Sequence, residues 1–377
     1  MSVPRQQVCQ SASRKLLAAL PGLRSVHALV GLDGFVDEII AVVDKRYEQE
    51  PDRYEPVRTI TAMGQKILRA AGQSSNYELA VKQIKLGGNG PIMANALAVM
   101  GLSITYIGSL GYPDLHPVFA DFAKRARVIS IAEAGHTDAL EFEDGKLMLG
   151  KHRSLAAITW ETFLDRVGPD RLTGALDECR LIAMTNWTMI PHMEQIWTNL
   201  CQAVASPGQR RLFFADLADP EKRTRQDILT ALQLLAQMQQ QVDVILGLNL
   251  KEATEIAGVL GLAIQGGADA AAGPLATAIR AKLGLSCVVV HPRGGAAATT
   301  AEQAAAFDGP FVPQPKISTG AGDHFNAGFC LGRVLGFTLE ESLCTGVATS
   351  GYYVRTAQSP DGKQLADFMD ALPEPQT

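Results

Sequence analysis

Two glycines and a carboxylate in Ser318-Thr319-Gly320-Ala321-Gly322-Asp323 could hold a phosphate and take a proton beside it. Lacking side chains, Gly320 and Gly322 let backbone N–H groups come close to an anion. A helix starting at Ala321 or Gly322 aims unpaired donors and the positive end of its dipole at the same point. That combination suits a phosphate, or the charge that develops on one during transfer. Asp323 would be repelled by such a ligand, and service as general base toward a substrate hydroxyl gives it a reason to stand there. The structural alternative makes Asp323 a favourable first-turn acid and Gly320 a change of chain direction.

Other groups could complete such a site. Leu86-Gly87-Gly88-Asn89-Gly90-Pro91 precedes a helical pattern that ends at Gly101, so its backbone donors could reach a polar ligand. The same run is also an ordinary turn with Pro91 as a first helical residue. Asp33, Gly34 and Asp37 follow the first strand pattern, and open α/β sheets bind ligands beyond strand carboxyl ends. Two carboxylates there suit sugar hydroxyls, with helix capping as the alternative. Asn249 and Glu252 read equally as a capping box and as an amide and an acid that orient a Mg²⁺ shell. Asp216, Asp219, Lys222 and Arg223 offer acids to a metal and bases to phosphate, or form a solvated loop.

The elements that must position these residues alternate along the chain. Short apolar runs at Val26 to Leu32, Ile104 to Ile107, Leu181 to Thr185, Arg211 to Ala215, Val242 to Leu246 and Cys287 to His291 predict strands. Helical patterns lie between them, including Pro91 to Met100, Trp160 to Cys179, Asp227 to Met238 and Lys251 to Leu260. This rhythm predicts a doubly wound, mostly parallel α/β sheet flanked by helices, in one domain over residues 20–377. Two segments break it. Residues 128–152 carry strand-like pieces around the Glu143-Asp144-Gly145-Lys146 turn and read as a small β lid, with a candidate contribution from residues 36–62. Residues 44–85 read as a longer, charged, partly helical insertion. The Gly/Ala-rich run from Gly266 to Gly273 is too short for an interdomain linker, and no internal repeat is present.

Composition narrows the function. A formal charge of -5 at pH 7 gives no electrostatic footprint for nucleic acid, so a small-molecule partner is expected. Six cysteines without metal-ligand or C-x-x-C spacing read as buried thiols in a reducing compartment. Neither a signal-peptide core nor an apolar run of roughly 18 residues occurs, so a cytoplasmic protein without a membrane partner is expected.

The order of elements, Gly87-Gly88 with Ala94 and Gly101 in register, Asn249-x-x-Glu252, and Thr319-Gly320-Ala321-Gly322-Asp323-x-Phe325-x-x-Gly328-Phe329 resemble the ribokinase-like (PfkB) carbohydrate kinase family from Val26 to Thr356. The resemblance implies transfer of a phosphoryl group from ATP to a hydroxyl of a sugar or sugar-like molecule. Asp323 would be the base and the amides of Gly320, Ala321 and Gly322 the anion hole. Asn249, Glu252 and Asp216 would organise Mg²⁺. Asp37 and Asp33, with Gly87, Gly88, Asn89 and Asn186, would hold the acceptor. Thr319, Asn249, His291, Arg293, Gly294 and Gly295 would border the nucleotide, whose base would lie between residues 306–315 and the helix from Val347.

The chain also departs from that family. Ile92 stands where relatives commonly carry an acceptor-binding asparagine, a role that Asn89 or Asn186 could take over. Ile317 stands where many have an acid that helps bind a monovalent cation, which leaves potassium dependence open. His291-Pro292-Arg293 replaces a threonine-containing turn and loosens nucleotide preference. These departures keep two alternatives alive, a kinase-fold regulator that binds nucleotide or metabolite without turnover, and a nucleoside kinase. Exposed lid-strand edges would suit a homodimer. A nicotinamide dehydrogenase is disfavoured, because no G-x-G-x-x-G links a strand to a helix.

Overall fold

A computed structural model describes residues 4–47, 50, 53–204, 210–262 and 272–375; most of the Gly/Ala-rich run, residues 266–271, lies outside them. The larger sheet has nine strands in the order β14-β13-β12-β11-β10-β9-β1-β5-β6. Its parallel part comprises β1 (His27–Leu32), β5 (Ser103–Gly108), β6 (Arg127–Ser130), β9 (Cys179–Thr185), β10 (Leu212–Asp216), β11 (Asp243–Asn249) and β12 (Cys287–His291). An antiparallel edge follows, β13 (Gly295–Thr299) and β14 (Ala304–Asp308).

Burial explains why the parallel strands read as unbroken apolar runs. Ala28 and Val30 of β1 enter one core cluster while Leu29 and Leu32 enter another across the sheet. Val289 likewise faces the first, and Val288 and Val290 the second. With helices on both faces, neither side can be polar.

The smaller sheet is built from β2 (Phe35–Arg46), β3 (Tyr54–Pro56), β4 (Leu79–Gly87), β7 (Gly135–Phe142) and β8 (Gly145–Lys151). Strands β7 and β8 form a hairpin across the predicted turn. The segment expected to be a partly helical insertion thus carries two strands besides the Ile60–Arg69 helix. That helix sits over a small cluster of Ile40, Val42, Val57, Met63 and Leu140. The expected single helix from Trp160 to Cys179 is two, Trp160–Val167 and Pro169–Glu178. Gly168 turns the chain at φ 85°, and Pro169, which cannot donate inside a helix, opens the second.

Candidate active site

Gly320 takes a left-handed conformation (φ 87°) and caps the Ala321–Val334 helix, which delivers Asp323 in the first turn. Within that turn the Ala321 N–H donates to Ser318 O at 3.2 Å, and the His324 N–H to Gly320 O at 3.0 Å. Gly322 lies on the side facing the ring of His291, whose Cε1 a Cβ there would meet at 3.4 Å. The side chain of Ile92 packs beneath Gly320, its Cγ2 at 3.3 Å from where a Cβ would stand. Ile92 thereby supports the glycine turn with an apolar side chain.

Asp323 is buried, and its carboxylate accepts a hydrogen bond from Asn89 Nδ2 at 2.9 Å. Burial pushes its pKa up to about 8; the Asn89 bond opposes this, and the nearby Asp33 and Glu252 charges add to it. Asp216 is driven well above the usual carboxylate range by burial and by Glu252 and Asp323, and burial raises Glu252 too. The two outer acids are committed to backbone and amide donors. Glu252 accepts from Asp219 N and Asn249 N, each at 2.9 Å, and Asn249 completes the capping box by accepting from Glu252 N at 2.9 Å. Asp216 accepts from Ala218 N at 2.9 Å and from Asn326 Nδ2 at 2.8 Å.

Three buried carboxyl groups close enough to raise one another's pKa suit a divalent cation, and the fit is an indirect one. Both oxygens of Asp216 and of Glu252 already have donors, so magnesium, which retains several waters, would be held by them through water. Among the described residues, the group whose ligand atoms lie within 4.8 Å of one another is instead Glu38, His136 and Asp138 on the smaller sheet. There Lys151 Nζ already occupies Asp138 Oδ1 at 2.8 Å. Of the other charged residues after β10, Lys222 pairs with Asp219 at 3.1 Å and the Arg223 guanidinium lies 4.7 Å from the Trp187 ring centre. The Arg223 Nε is buried without a hydrogen-bond partner.

Asp33 and Asp37 have different surroundings. Asp33 accepts from Asn89 N at 3.0 Å, Gly90 N at 2.8 Å and Asn186 Nδ2 at 2.8 Å, so it caps the Asn89–Met100 helix. Burial raises its pKa to about 6 against those three bonds. Tyr106 donates to the Asp33 carbonyl, and a Cβ at Gly90 would stand 2.5 Å from that hydroxyl and 2.7 Å from Asp33 Oδ1. Asp37 lies beneath Gly87, where any Cβ would collide with its carboxylate. Burial raises its pKa, opposed by a hydrogen bond from Thr137 and by Lys85, Lys146 and His136. The amides of Asn89 and Asn186 are engaged by Asp323 and Asp33, while Asn186 Oδ1 is buried without a partner.

A cavity of about 660 Å³ opens in front of the glycine turn, walled by Arg293, Gly295, Phe311, Thr319, Gly322 and Val347. Asn249 and His291 also face it. The His291 ring lies 4.7 Å from that of Phe325, and burial lowers its pKa to about 4, so it is neutral. The Gly309 N–H donates to Gly294 O at 2.8 Å and holds the far wall.

Several residues here carried no sequence-level assignment. His324 must donate from Nδ1 to Gly320 O (2.7 Å), which leaves Nε2 to accept from Ser359 Oγ (2.8 Å). Its ring stacks on Tyr353 at 3.6 Å, and Tyr353 donates to Thr319 O at 3.0 Å. The two rings lock the glycine turn from behind. Asn326 is three residues beyond Asp323, the spacing that shares a helix face, and that signal was available. Lys146, from the hairpin turn, reaches the cavity wall.

The sequence profile of the family described as prokaryotic ketohexokinase matches residues 5–372. A ketohexokinase from Haloferax volcanii is 29% identical over 352 residues, covering 91% of this chain and 90% of the relative. Solved structures with the same fold include Arabidopsis thaliana ribokinase complexed with ribose and ATP (TM-score 0.60, 19% identity, 91% of this chain and 98% of that one). Escherichia coli phosphofructokinase-2 in complex with fructose-6-phosphate is similar at TM-score 0.60 and 16% identity, over 92% and 98% of the two chains.

Proposed function

Because this chain belongs to the prokaryotic ketohexokinase family and is a carbohydrate kinase of ribokinase-like fold, we propose that it transfers the γ-phosphoryl group of ATP to a hydroxyl of a ketohexose. The observation that carries this reading is the buried Asp323 in the first turn of a helix whose glycine N-terminus borders the 660 Å³ cavity. In this reading the carboxylate stands between the phosphate at the glycine turn and the acceptor near Asp33.

In the proposed reaction Asp37 accepts hydrogen bonds from acceptor hydroxyls, and Asp33 fixes the Asn89–Met100 helix that brings Asn89 to Asp323. Asp323 takes the proton as the acceptor oxygen bonds to phosphorus and the bond from phosphorus to the departing ADP breaks. Backbone amides of Gly320 and Gly322, and that of Ala321 on exchanging Ser318 O for the phosphoryl oxygen, stabilise the charge on the moving group. Asn249, Glu252 and Asp216 would hold Mg²⁺ through its water shell, and the ion would neutralise phosphate charge. The lid sheet, which supplies Asp37, would exclude water from the transfer.

An acceptor panel tests this directly. Free ketohexoses, aldohexoses, pentoses, sugar phosphates and nucleosides, each incubated with Mg-ATP with and without potassium, should give the highest kcat/KM for a free ketohexose. A preference for a nucleoside or a sugar phosphate would replace the acceptor assignment, and intact ATP binding with no turnover on any acceptor would favour a binder.

The Asn89 contact adds a prediction of its own. Removing the donor with Asn89→Ala takes away a bond that holds the Asp323 pKa down. The pH at which kcat/KM rises should move upward, lowering the value at pH 7 by roughly three- to tenfold. A profile superimposable on the wild type would dismiss this contact as a tuning interaction.

A further inference from the structure

The hairpin of β7 and β8 does more than cover the site. Glu141 pairs with Lys146 in that hairpin, and alternate residues of a strand share a face, so Lys146 lies on the same face as Thr137. Thr137 pairs in turn with Asp37, and Asp37 with Lys85. This face therefore carries Asp37, Lys85 and Lys146 together. Lys146 also lines the cavity, whose wall includes Asn249, Thr319 and Gly322.

Among the described residues the Lys146 ammonium forms no hydrogen bond and no ion pair, although the residue is only partly exposed. Burial and the neighbouring Lys85 lower its pKa, against Glu141 and Asp37. An unpaired, partly desolvated ammonium is unfavourable unless an anion completes it. No residue that lines the cavity is acidic, and the acids on the strand face of Lys146, Asp37 and Glu141, form no ion pair with it.

We propose that Lys146 is a catalytic residue that contacts the γ-phosphoryl group of ATP and neutralises it during transfer, so that the Glu143-Asp144-Gly145-Lys146 turn carries a cation onto the phosphate. The proposal rests on the kinase reading above. Lys146 exchanges no proton in this step. The acceptor proton goes to Asp323, the acceptor oxygen bonds to phosphorus, and ADP leaves with the electrons of the broken bond. A cation that meets only the γ-phosphoryl group separates ATP from ADP, which gives a readout independent of turnover.

The test is calorimetric titration of wild type, Lys146→Met and Lys146→Arg with Mg-ADP and with a non-hydrolysable Mg-ATP analogue, alongside ketohexose kinetics and thermal melting. Lys146→Met should melt like wild type, bind ADP within about twofold, bind the analogue about tenfold more weakly, and lose roughly 10- to 100-fold in kcat. Lys146→Arg should recover part of both losses. Analogue affinity and kcat within about twofold of wild type, or a loss confined to the KM for sugar, would overturn the role of Lys146 while leaving the kinase reading intact. A wild type that neither bound nucleotide nor transferred phosphate would sink the kinase reading, and this proposal with it.

Discussion

Asp323→Asn should lose about 10²- to 10⁴-fold in kcat and yet be more stable than wild type at pH 8. Both effects come from the same environment. Burial and two neighbouring acids raise the carboxyl from 3.8 to about 8. The folded state thus holds a proton that the unfolded chain releases near its ordinary value. Its contribution to stability is fully present below 3.8 and is lost as pH rises through about 8. Asparagine is neutral throughout and keeps the shape, so the variant escapes that loss. A gain of at least ~2 kcal/mol at pH 8, shrinking toward pH 4, is expected, read as a melting temperature higher by about 2 °C or more. Paired melting curves at the two pH values check it, and a variant less stable at pH 8 than wild type would show that Asp323 is not held under electrostatic strain.

The second large effect is expected at Gly320. Its φ of 87° lies where side chains are disfavoured, and a Cβ would press on Ile92 Cγ2 and on the Tyr353 hydroxyl, each at 3.3 Å. Gly320→Val, branched at Cβ, has to move the backbone, and with it the amides proposed to face the phosphate. Loss of about 10²- to 10³-fold in kcat follows if one of those donors is misplaced, with a strain penalty of about 1–3 kcal/mol. Kinetics and melting curves on the same preparation check both. Gly320→Ala should fall between, since it has the conformational strain without the second branch. Near-native turnover of the valine variant would remove these amides from the mechanism.

Much of this site was legible because its elements are locally encoded. The parallel strands are buried on both faces and so show as apolar runs. The glycine turn needs a conformation that only glycine adopts cheaply, and Asp323 follows it in the same six-residue run. What escaped is non-local. Strand β4 reads Leu-Ala-Val-Lys-Gln-Ile-Lys-Leu-Gly and is largely exposed, so no apolar alternation marked it as a strand. The Asn89 to Asp323 bond spans 234 positions, and no spacing announces it. Asp33 and Asp37 looked alike in sequence. Their roles divide because one meets the amides of a helix start, while the other sits on a lid strand under Gly87. The two-helix break at Gly168-Pro169 was visible in principle, because a glycine-proline pair punctuates a helix.

The central claim is that Asp323 must give up its proton before it can accept one from the sugar. It is tested most directly by the pH dependence of kcat/KM for the ketohexose, which reports groups on the free enzyme. The wild type should rise about tenfold per pH unit and level off near pH 8, while the residual activity of Asp323→Asn should lack that limb. A wild-type profile flat between pH 6 and 8, or an Asn variant that retains both the limb and the rate, would contradict the assignment of Asp323 as the base.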